Sequence, residues 1–332
     1  MFNRYLVTGA TGFLGHTVVH MLANKHKAVT ALVLPEDPGA QRLPEGVDIA
    51  LGDVTDPESL EPVFASLGEN ACVIHCAGRI CIDTVPGPMV RKVNVEGTRH
   101  VVDLCRRYGI RKLVYVSSVH AIPERKDGCA MTEIRDFSPQ NVSGEYAKTK
   151  AEATAYVLEA ARQGLNASVV QPSGIVGPQD YAIGSLSSMI ISYCKGKLPM
   201  GVEGGYDFVD VRDVAAGILA CCEKGRPGEC YILSAEYVSI RRMLDSLCHI
   251  SKGNRVKLLA PVWLAKAVSP FAEWVSKLKK EKPYFTPYAV SVLGSNGLFS
   301  HAKATRELGY SPRRFSVTLR DTYHWLKGVG YC

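Results

Sequence analysis

The chain has no long uninterrupted run of apolar residues. Nowhere in its 332 residues does such a run reach the roughly 18–20 residues that a membrane-spanning helix needs. The most apolar stretch in the second half, Leu258 to Val268, is shorter and contains Pro261 and Lys266. The sequence therefore predicts no membrane span.

Cysteines number 11, but they lack the spacing of a metal site or a disulfide framework. No C-x-x-C pair has a matching partner pair or a His-x-x-x-His, and the adjacent Cys221 and Cys222 are poorly placed for chelation. Cys72 and Cys76, near Cys81, fall in an apolar run and are expected in the core. We predict no metal, free thiols in a reducing compartment and, with a first strand beginning almost at the first residue, a cytoplasmic protein.

Basic residues are not gathered into a stripe interleaved with aromatics, the pattern typical of nucleic-acid binding. Lys plus Arg number 39 and Asp plus Glu 32, a formal net charge of +7. The densest basic stretch, Lys277 to Lys280, is typical of a solvated helix end. The charge suits an anionic small-molecule ligand and predicts no nucleic-acid partner.

The first half of the chain alternates short apolar runs with helical patterns such as Thr98–Arg107 and Glu145–Arg162. The apolar runs lie at Tyr5–Val7, Val29–Leu34, Val47–Leu51, Ala71–Cys76, Lys112–Val116 and Ala167–Val170. Such alternation predicts an α/β fold built from βαβ units, and continuous apolar runs indicate a parallel sheet covered on both faces. After Pro172 the rhythm changes, with frequent Pro and Gly and shorter strands.

A glycine-rich segment, residues 8–15, follows the first apolar run and precedes a helical pattern in a G-x-x-G-x-x-G spacing. Gly9 permits a tight turn, Gly12 lets the backbone approach a pyrophosphate, and Gly15 lets the helix pack against the strand. The helix N-terminus adds free N–H groups and the positive end of its dipole. Dinucleotide phosphates are therefore predicted to contact Gly9, Thr11, Gly12, Phe13, Leu14 and Gly15.

Acidic and small residues follow the third and fourth apolar runs. Asp53 can accept a hydrogen bond from an adenine amino group while the N–H of Val54 contacts the ring; the alternative is that it caps the next helix. Asp56, just before Pro57, is the better candidate for that cap. The fourth run ends in small residues that would let a cofactor lie on the strand ends, namely Cys76, Ala77 and Gly78.

Tyr146 and Lys150 share one face of a helical pattern, because they are four residues apart. An ammonium beside a phenol lowers the pKa of the phenol, so Tyr146 could exchange a proton with a carbinol oxygen near neutral pH. The fifth apolar run ends in Ser117-Ser118, where Ser118 could orient that oxygen and Ser117 is the second choice. Asn94 opens the helical pattern before that run, and is either a cap or a fourth site residue.

In combination, these motifs resemble the extended short-chain dehydrogenase/reductase family. The matching segments are Thr8–Gly15, Asp53, Asn94–Thr98, Tyr115–Ser118, Tyr146–Lys150, Pro172–Pro178 and Phe208–Val214. The resemblance implies a doubly wound Rossmann sheet of about seven strands, NAD or NADP as cofactor, a homodimer, and Ser118, Tyr146 and Lys150 as the catalytic triad. It also implies that the cofactor contacts Pro172, Ser173 and Ile175.

By this resemblance, residues 1–171, with 205–235 returning to them, form the NAD(P)-binding domain. Residues 172–332 then form mainly a substrate-binding region, in which the aromatic segment Trp263 to Tyr288 suits an apolar substrate or ordinary core packing. The cofactor's 2′ group is left open, since Glu36 and Asp37 favour NAD and Arg42 favours NADP.

Two branches of the family share the triad: nucleotide-sugar epimerases and dehydratases, and carbonyl reductases similar to dihydroflavonol reductase and 3β-hydroxysteroid dehydrogenase. Sugar-nucleotide enzymes usually have Arg where this chain has Tyr206, Asn at Gly174, and Arg at Gln171. A neutral phenol cannot make the bidentate contact of Arg to a diphosphate. We therefore expect a reductase or dehydrogenase that acts on a ring ketone or secondary alcohol of a small molecule, with the epimerase or dehydratase activity as the alternative.

Overall fold

A seven-stranded parallel sheet forms the centre of the computed structural model, which describes residues 2–80, 87–198, 200–269 and 287–332. The strand order is β10-β6-β5-β4-β1-β2-β3, so it reverses between β1 and β4. The strands are β1 Arg4–Thr8, β2 Val29–Val33, β3 Asp48–Leu51, β4 Ala71–His75, β5 Lys112–Val116, β6 Ala167–Pro172 and β10 Cys230–Leu233. The predicted doubly wound α/β fold is confirmed.

The central strands are mostly apolar because helices cover both faces of the sheet. Every residue of β2, β4, β5, β6 and β10 is buried, whereas most of the edge strand β3 is exposed. One face packs on α1 Phe13–Asn24, α7 Val211–Lys224 and α11 Ala302–Leu308. The other face packs on α2 Pro57–Leu67, α4 Gly97–Arg107 and α5 Glu145–Arg162.

Two small sheets and further helices lie beside the carboxyl ends of the central strands. The first small sheet has the order β11-β9-β7, and the second pairs β12 with β8. Their strands are β7 Gly174–Val176, β8 Gly201–Val202, β9 Gly205–Asp210, β11 Glu236–Ser239 and β12 Leu259–Ala260. The additional helices are α3 Met89–Arg91, α6 Ser185–Cys194, α8 Ile240–Ser251, α9 at residues 262–269, α10 Pro287–Leu293 and α12 Phe315–Gly328.

Ion pairs connect two residues near the C-terminus, Arg313 and Asp321, to the start of α7. Asp210 caps α7 and binds Arg212, which also binds Asp321 of α12 at 2.8 Å. Arg313 forms a multidentate ion pair with Asp213 in the first turn of α7. The motif residues 208–214 therefore join the region after residue 300 to the central sheet.

Candidate active site

The glycine loop turns as its spacing predicts. Gly9 has φ +65°, and a Cβ on it would approach the backbone of Ala77 to 2.8 Å. A Cβ on Gly15 would collide with the carbonyl of Gly9, whereas Gly12 meets only that carbonyl, at 3.3 Å. No side chain among the described residues caps helix α1 at Phe13, so its first N–H groups can donate to a ligand. The loop thus fits the pyrophosphate of a dinucleotide, with Leu14 half-buried at the helix start.

A hydrogen-bonded chain fixes the ends of β1 and β4. The Thr8 hydroxyl accepts a bond from the N–H of Ala77 and pairs with Nδ1 of His75 at 2.7 Å. The other nitrogen of His75 pairs with the Thr98 hydroxyl at 3.1 Å, and burial lowers the pKa of His75 to about 3. Sequence reasoning missed this histidine, which holds the Cys76-Ala77-Gly78 segment against the glycine loop.

The two acidic candidates after β3, Asp53 and Asp56, form different hydrogen bonds. Asp56 caps α2, as predicted, by accepting from the N–H of Glu58. Asp53 is half-buried and accepts from the N–H of Thr55 at 2.8 Å, and the next residue, Val54, packs beneath Gly97. Asp53 therefore forms a local turn and does not cap the helix.

A contact at the end of β2 bears on the cofactor's 2′ group. One oxygen of Asp37 accepts from the Thr11 hydroxyl of the glycine loop at 2.6 Å, and the other accepts from the N–H of Gly39. The Arg42 guanidinium instead lies 4.6 Å from the ring centroid of Tyr181. The carboxylate, and not the guanidinium, is thus bonded to the loop.

Helix α5 brings Tyr146 to the end of β5. The Tyr146 hydroxyl interacts with the Ser118 hydroxyl, while the second-choice Ser117 is buried and paired with Thr154 at 2.6 Å. Ser118 also caps the short turn after β5 by accepting from the N–H of His120 at 3.2 Å. Of the two serines, Ser118 is therefore the one beside the tyrosine.

Lys150 lies one turn further along α5 and is buried. Its Nζ donates to the carbonyl of Val116 at 2.8 Å and lies 5.0 Å from the ring centroid of Tyr115. Burial lowers the pKa of Lys150 to about 8. The expected lowering of the Tyr146 pKa is wrong: burial raises it to about 12, and the Ser118 hydroxyl offsets only part of that.

Asn94 is buried in a π-helical turn, Lys92–Glu96, between α3 and α4. Its carboxamide accepts from the N–H of Arg79 at 2.7 Å and donates to the carbonyl of Arg79 and to the Thr149 hydroxyl of α5. The suggestion that Asn94 caps a helix is wrong, because the helical segment already begins at Met89. A Cβ on Gly78 would lie 3.3 Å from Nζ of Lys150 and 3.5 Å from Oδ1 of Asn94, so Gly78 keeps open the space between them.

The segment after β6 is held by a buried acid. Ser173 donates to Asp207 at 2.5 Å, and the N–H of Ala235 donates to the same oxygen. Burial raises the pKa of Asp207 to about 6 despite these bonds. Ser173 is thus fixed between the fully buried Pro172 and the half-buried Ile175.

A Cβ on Gly174 would come within 2.9 Å of the Phe208 ring and 3.0 Å of the carbonyl of Asp207. An asparagine, as sugar-nucleotide enzymes usually have there, would need its neighbours to move. Nearby, Gln171 is fully buried, and its amide has no hydrogen-bond partner among the described residues.

Aromatic and imidazole side chains form a cluster beside Tyr146. The His120 ring pairs with the Tyr206 hydroxyl through Nε2 at 3.2 Å and with the Tyr288 hydroxyl through Nδ1 at 3.3 Å. It also meets the Tyr146 ring edge-on, with centroids 5.9 Å apart. Tyr206 packs against Phe299 on its other side. His120 was not predicted from the sequence; its position two residues after Ser118 was the available signal.

Two expected absences concern only the residues that the structure describes, and one residue and two segments named in the sequence lie wholly or mostly outside them. Within 2–80, 87–198, 200–269 and 287–332, no group of three or more His, Cys, Asp or Glu side chains could hold a metal ion. The same residues contain no helix long and apolar enough to cross a membrane. Cys81 and the basic stretch Lys277 to Lys280 lie outside the described residues, as does most of the aromatic segment 263–288.

Comparison with known proteins gives a consistent result. Residues 5–234 match the NAD dependent epimerase/dehydratase family. The chain is 29% identical to "Sterol demethylase protein B" of Methylococcus capsulatus, over 98% of each protein, and 28% identical to a decarboxylating sterol-4-alpha-carboxylate 3-dehydrogenase of Saccharomyces cerevisiae, over 93% of each. The crystal structure of gox2253 superposes with a TM-score of 0.85 at 31% identity, covering 99% of both chains.

The family match covers the central sheet from β1 to β10, including the glycine loop and the Tyr146–Lys150 helix. The protein therefore belongs to the NAD dependent epimerase/dehydratase family and is an NAD(P)-dependent enzyme of the extended short-chain dehydrogenase/reductase type.

Proposed function

We propose that the protein transfers hydride between a nicotinamide cofactor and a ring ketone or secondary alcohol, with Ser118, Tyr146 and Lys150 as catalytic residues. The observation that carries this proposal is that α5 places Tyr146 and Lys150 at the carboxyl end of β5: Nζ of Lys150 donates to the carbonyl of Val116, and the Tyr146 ring meets the ring of His120, whose backbone N–H donates to Ser118. Parallel α/β sheets bind their ligands at that edge. A carbonyl oxygen placed there would meet both hydroxyls.

Each residue has a distinct part in the reaction. A bound nicotinamide dinucleotide would supply or accept the hydride. Ser118 hydrogen-bonds the reacting oxygen, and Tyr146 donates a proton to it as negative charge develops. A phenol whose pKa burial raises to about 12 keeps its proton at neutral pH, which suits an acid in the reductive direction. Lys150 would bind a ribose hydroxyl of the bound dinucleotide, and its positive charge would favour the tyrosinate in that complex. Asn94 orders the segment that faces Lys150 and would order a water in the proton path.

Three positions support a ketone or alcohol over a nucleotide sugar. Tyr206 is buried and paired with His120, so it offers no cation for a diphosphate. Gly174 has no room for a side chain, and Gln171 is buried away from solvent. Two relatives that align with this chain over nearly their full length have names that refer to sterols. An apolar ring system is therefore the proposed substrate class.

NAD is the proposed cofactor. The Asp37 carboxylate is bonded to Thr11 of the glycine loop, where it would accept from ribose hydroxyls and repel a 2′-phosphate. The residues proposed to contact NAD are Gly9, Thr11, Gly12, Phe13, Leu14, Gly15, Asp53, Val54, Cys76, Ala77, Gly78, Tyr146, Lys150, Pro172, Ser173 and Ile175.

A nucleotide-sugar epimerase or dehydratase is the second candidate, because the family description includes both activities. The two candidates differ in the fate of the hydride. A reductase consumes its reduced cofactor, whereas an epimerase returns the hydride within one turnover and shows no net consumption.

The deciding experiment is fluorescence titration of the purified protein with NADH and NADPH, followed by absorbance assays with ring ketones. Binding of NADH with consumption in the presence of a ketone supports the proposal. Turnover of a UDP- or dTDP-sugar without turnover of any ketone would contradict the proposal and support a nucleotide-sugar epimerase or dehydratase.

Three further features belong to the same proposal. Residues 1–171 with 205–235 bind the cofactor, and residues 172–332 mainly bind substrate. The active form is a cytoplasmic homodimer. Light scattering after size-exclusion chromatography tests the dimer, and a mass of one protomer, 36.1 kDa, would contradict it.

A further inference from the structure

The His120 cluster joins three distant parts of the chain beside the catalytic tyrosine. His120 lies in the turn after β5, Tyr206 in β9 and Tyr288 in α10. Gly144, immediately before α5, has φ +90°, and a Cβ on it would collide with the Tyr288 ring. The cluster therefore lies against the start of the helix that carries Tyr146.

The protonation states of the three side chains determine which hydrogen bonds the cluster can form. Burial lowers the pKa of His120 to about 4, so the imidazole is neutral at physiological pH and has one donor and one acceptor nitrogen. Burial raises the pKa of Tyr206 and of Tyr288, so both phenols keep their protons. One phenol therefore donates to the ring and the other accepts from it.

The accepting phenol still has its own proton. Whichever tautomer His120 adopts, Tyr206, His120 and Tyr288 together have one O–H donor without an acceptor among the described residues, as well as phenol lone pairs. They contribute no net charge. Such a group can bind an uncharged oxygen, but it offers a carboxylate or phosphate no counter-charge to replace lost hydration.

We propose that His120, Tyr206 and Tyr288 form a specificity site that binds a second, uncharged oxygen substituent of the substrate, such as an ester carbonyl, a ketone or a hydroxyl. This inference rests on the proposed ketone-reductase function and refines its substrate class. The reacting carbonyl lies at Ser118 and Tyr146, and the second oxygen contacts the cluster. Acidic ring compounds are disfavoured because their charge would be poorly solvated there.

Three related ketones test the site in the full-length protein with NADH: cyclohexanone, methyl 4-oxocyclohexanecarboxylate and 4-oxocyclohexanecarboxylate. They differ in having no second polar group, a neutral one and an anionic one. The expected kcat/KM for the ester exceeds that for the acid at least tenfold. In His120→Phe, which keeps a ring but removes both nitrogens, kcat/KM for the ester should fall about tenfold more than that for cyclohexanone, mainly through KM.

The comparison separates a specific role from a structural one. A merely structural role for His120 would lower turnover of the ester and of cyclohexanone equally, and that result would overturn the inference. A wild-type preference for the acid would overturn it as well. If His120→Phe does not fold, Tyr206→Phe provides the same test, and its kcat/KM for the ester should fall threefold to tenfold more than that for cyclohexanone. Failure of the wild type to reduce any of the three ketones would instead count against the proposed function itself.

Discussion

Replacing Lys150 by methionine is expected to stabilise the cofactor-free protein at neutral pH. Lys150 is only 4% exposed, and burial lowers its pKa from 10.5 to about 8. Between these two values the unfolded chain holds a proton that the folded chain does not. Folding therefore carries a penalty that is complete below about pH 8 and disappears as the pH rises above about 10.5.

The size of the penalty follows from the shift. At about 1.4 kcal/mol for each pKa unit, it amounts to roughly 3 kcal/mol at pH 7 and roughly 1 kcal/mol at pH 9.5. Methionine removes the penalty but leaves the carbonyl of Val116 without its donor, a cost of about 1–3 kcal/mol that is the same at both pH values. The stability gain should therefore be about 2 kcal/mol larger at pH 7 than at pH 9.5.

Urea unfolding of the wild type and Lys150→Met, both free of dinucleotide, measures this difference. Lys148→Met is the matched control, because Lys148 lies on the same helix but is exposed. The control should show the same stability change at both pH values. An equal effect of Lys150→Met at pH 7 and pH 9.5 would refute the reasoning from burial. The variant should also lose ketone reduction.

Three further substitutions test the site. Tyr146→Phe should lower kcat by about 10²- to 10⁴-fold, because it removes the proton donor, while NADH affinity measured by fluorescence stays within about threefold; near-normal kcat would contradict the assigned role. Gly15→Ala should abolish NADH binding and lower the melting temperature, because its Cβ would collide with the Gly9 carbonyl, whereas Gly328→Ala, at the end of α12 with no described atom within 4 Å of the added Cβ, should do neither. Asp37→Asn should shift the NADPH-to-NADH affinity ratio at least tenfold towards NADPH; an unchanged ratio would show that Asp37 does not select the cofactor.

The parts of the fold that depend on local pattern were predictable. Strands buried on both faces are mostly apolar, so each central strand is visible as a mainly apolar run such as Ala71–Cys76. The glycine loop is equally local, since Gly9 adopts the positive φ of a tight turn and Gly15 is required by its contact with the Gly9 carbonyl. The shared face of Tyr146 and Lys150 follows from helix periodicity alone.

Features that depend on distant contacts were not predictable. His120 meets partners 86 and 168 residues away, and no local pattern relates those positions. Asn94 has the local sequence of a helix start, yet tertiary contacts with the Arg79 backbone place it inside a longer helical segment. The protonation of Tyr146 depends on how deeply α5 buries it, which the spacing to Lys150 does not reveal.

The charged pairs around α7 affect how this protein can be divided or recombined. Asp210 and Asp213 lie within the family match that ends at residue 234, but Asp321 and Arg313 lie beyond it. A fragment cut at residue 234 would leave the Asp213 carboxylate without its guanidinium partner. We therefore expect chimeras that exchange the C-terminal region between relatives to assemble only if these pairs are transferred together.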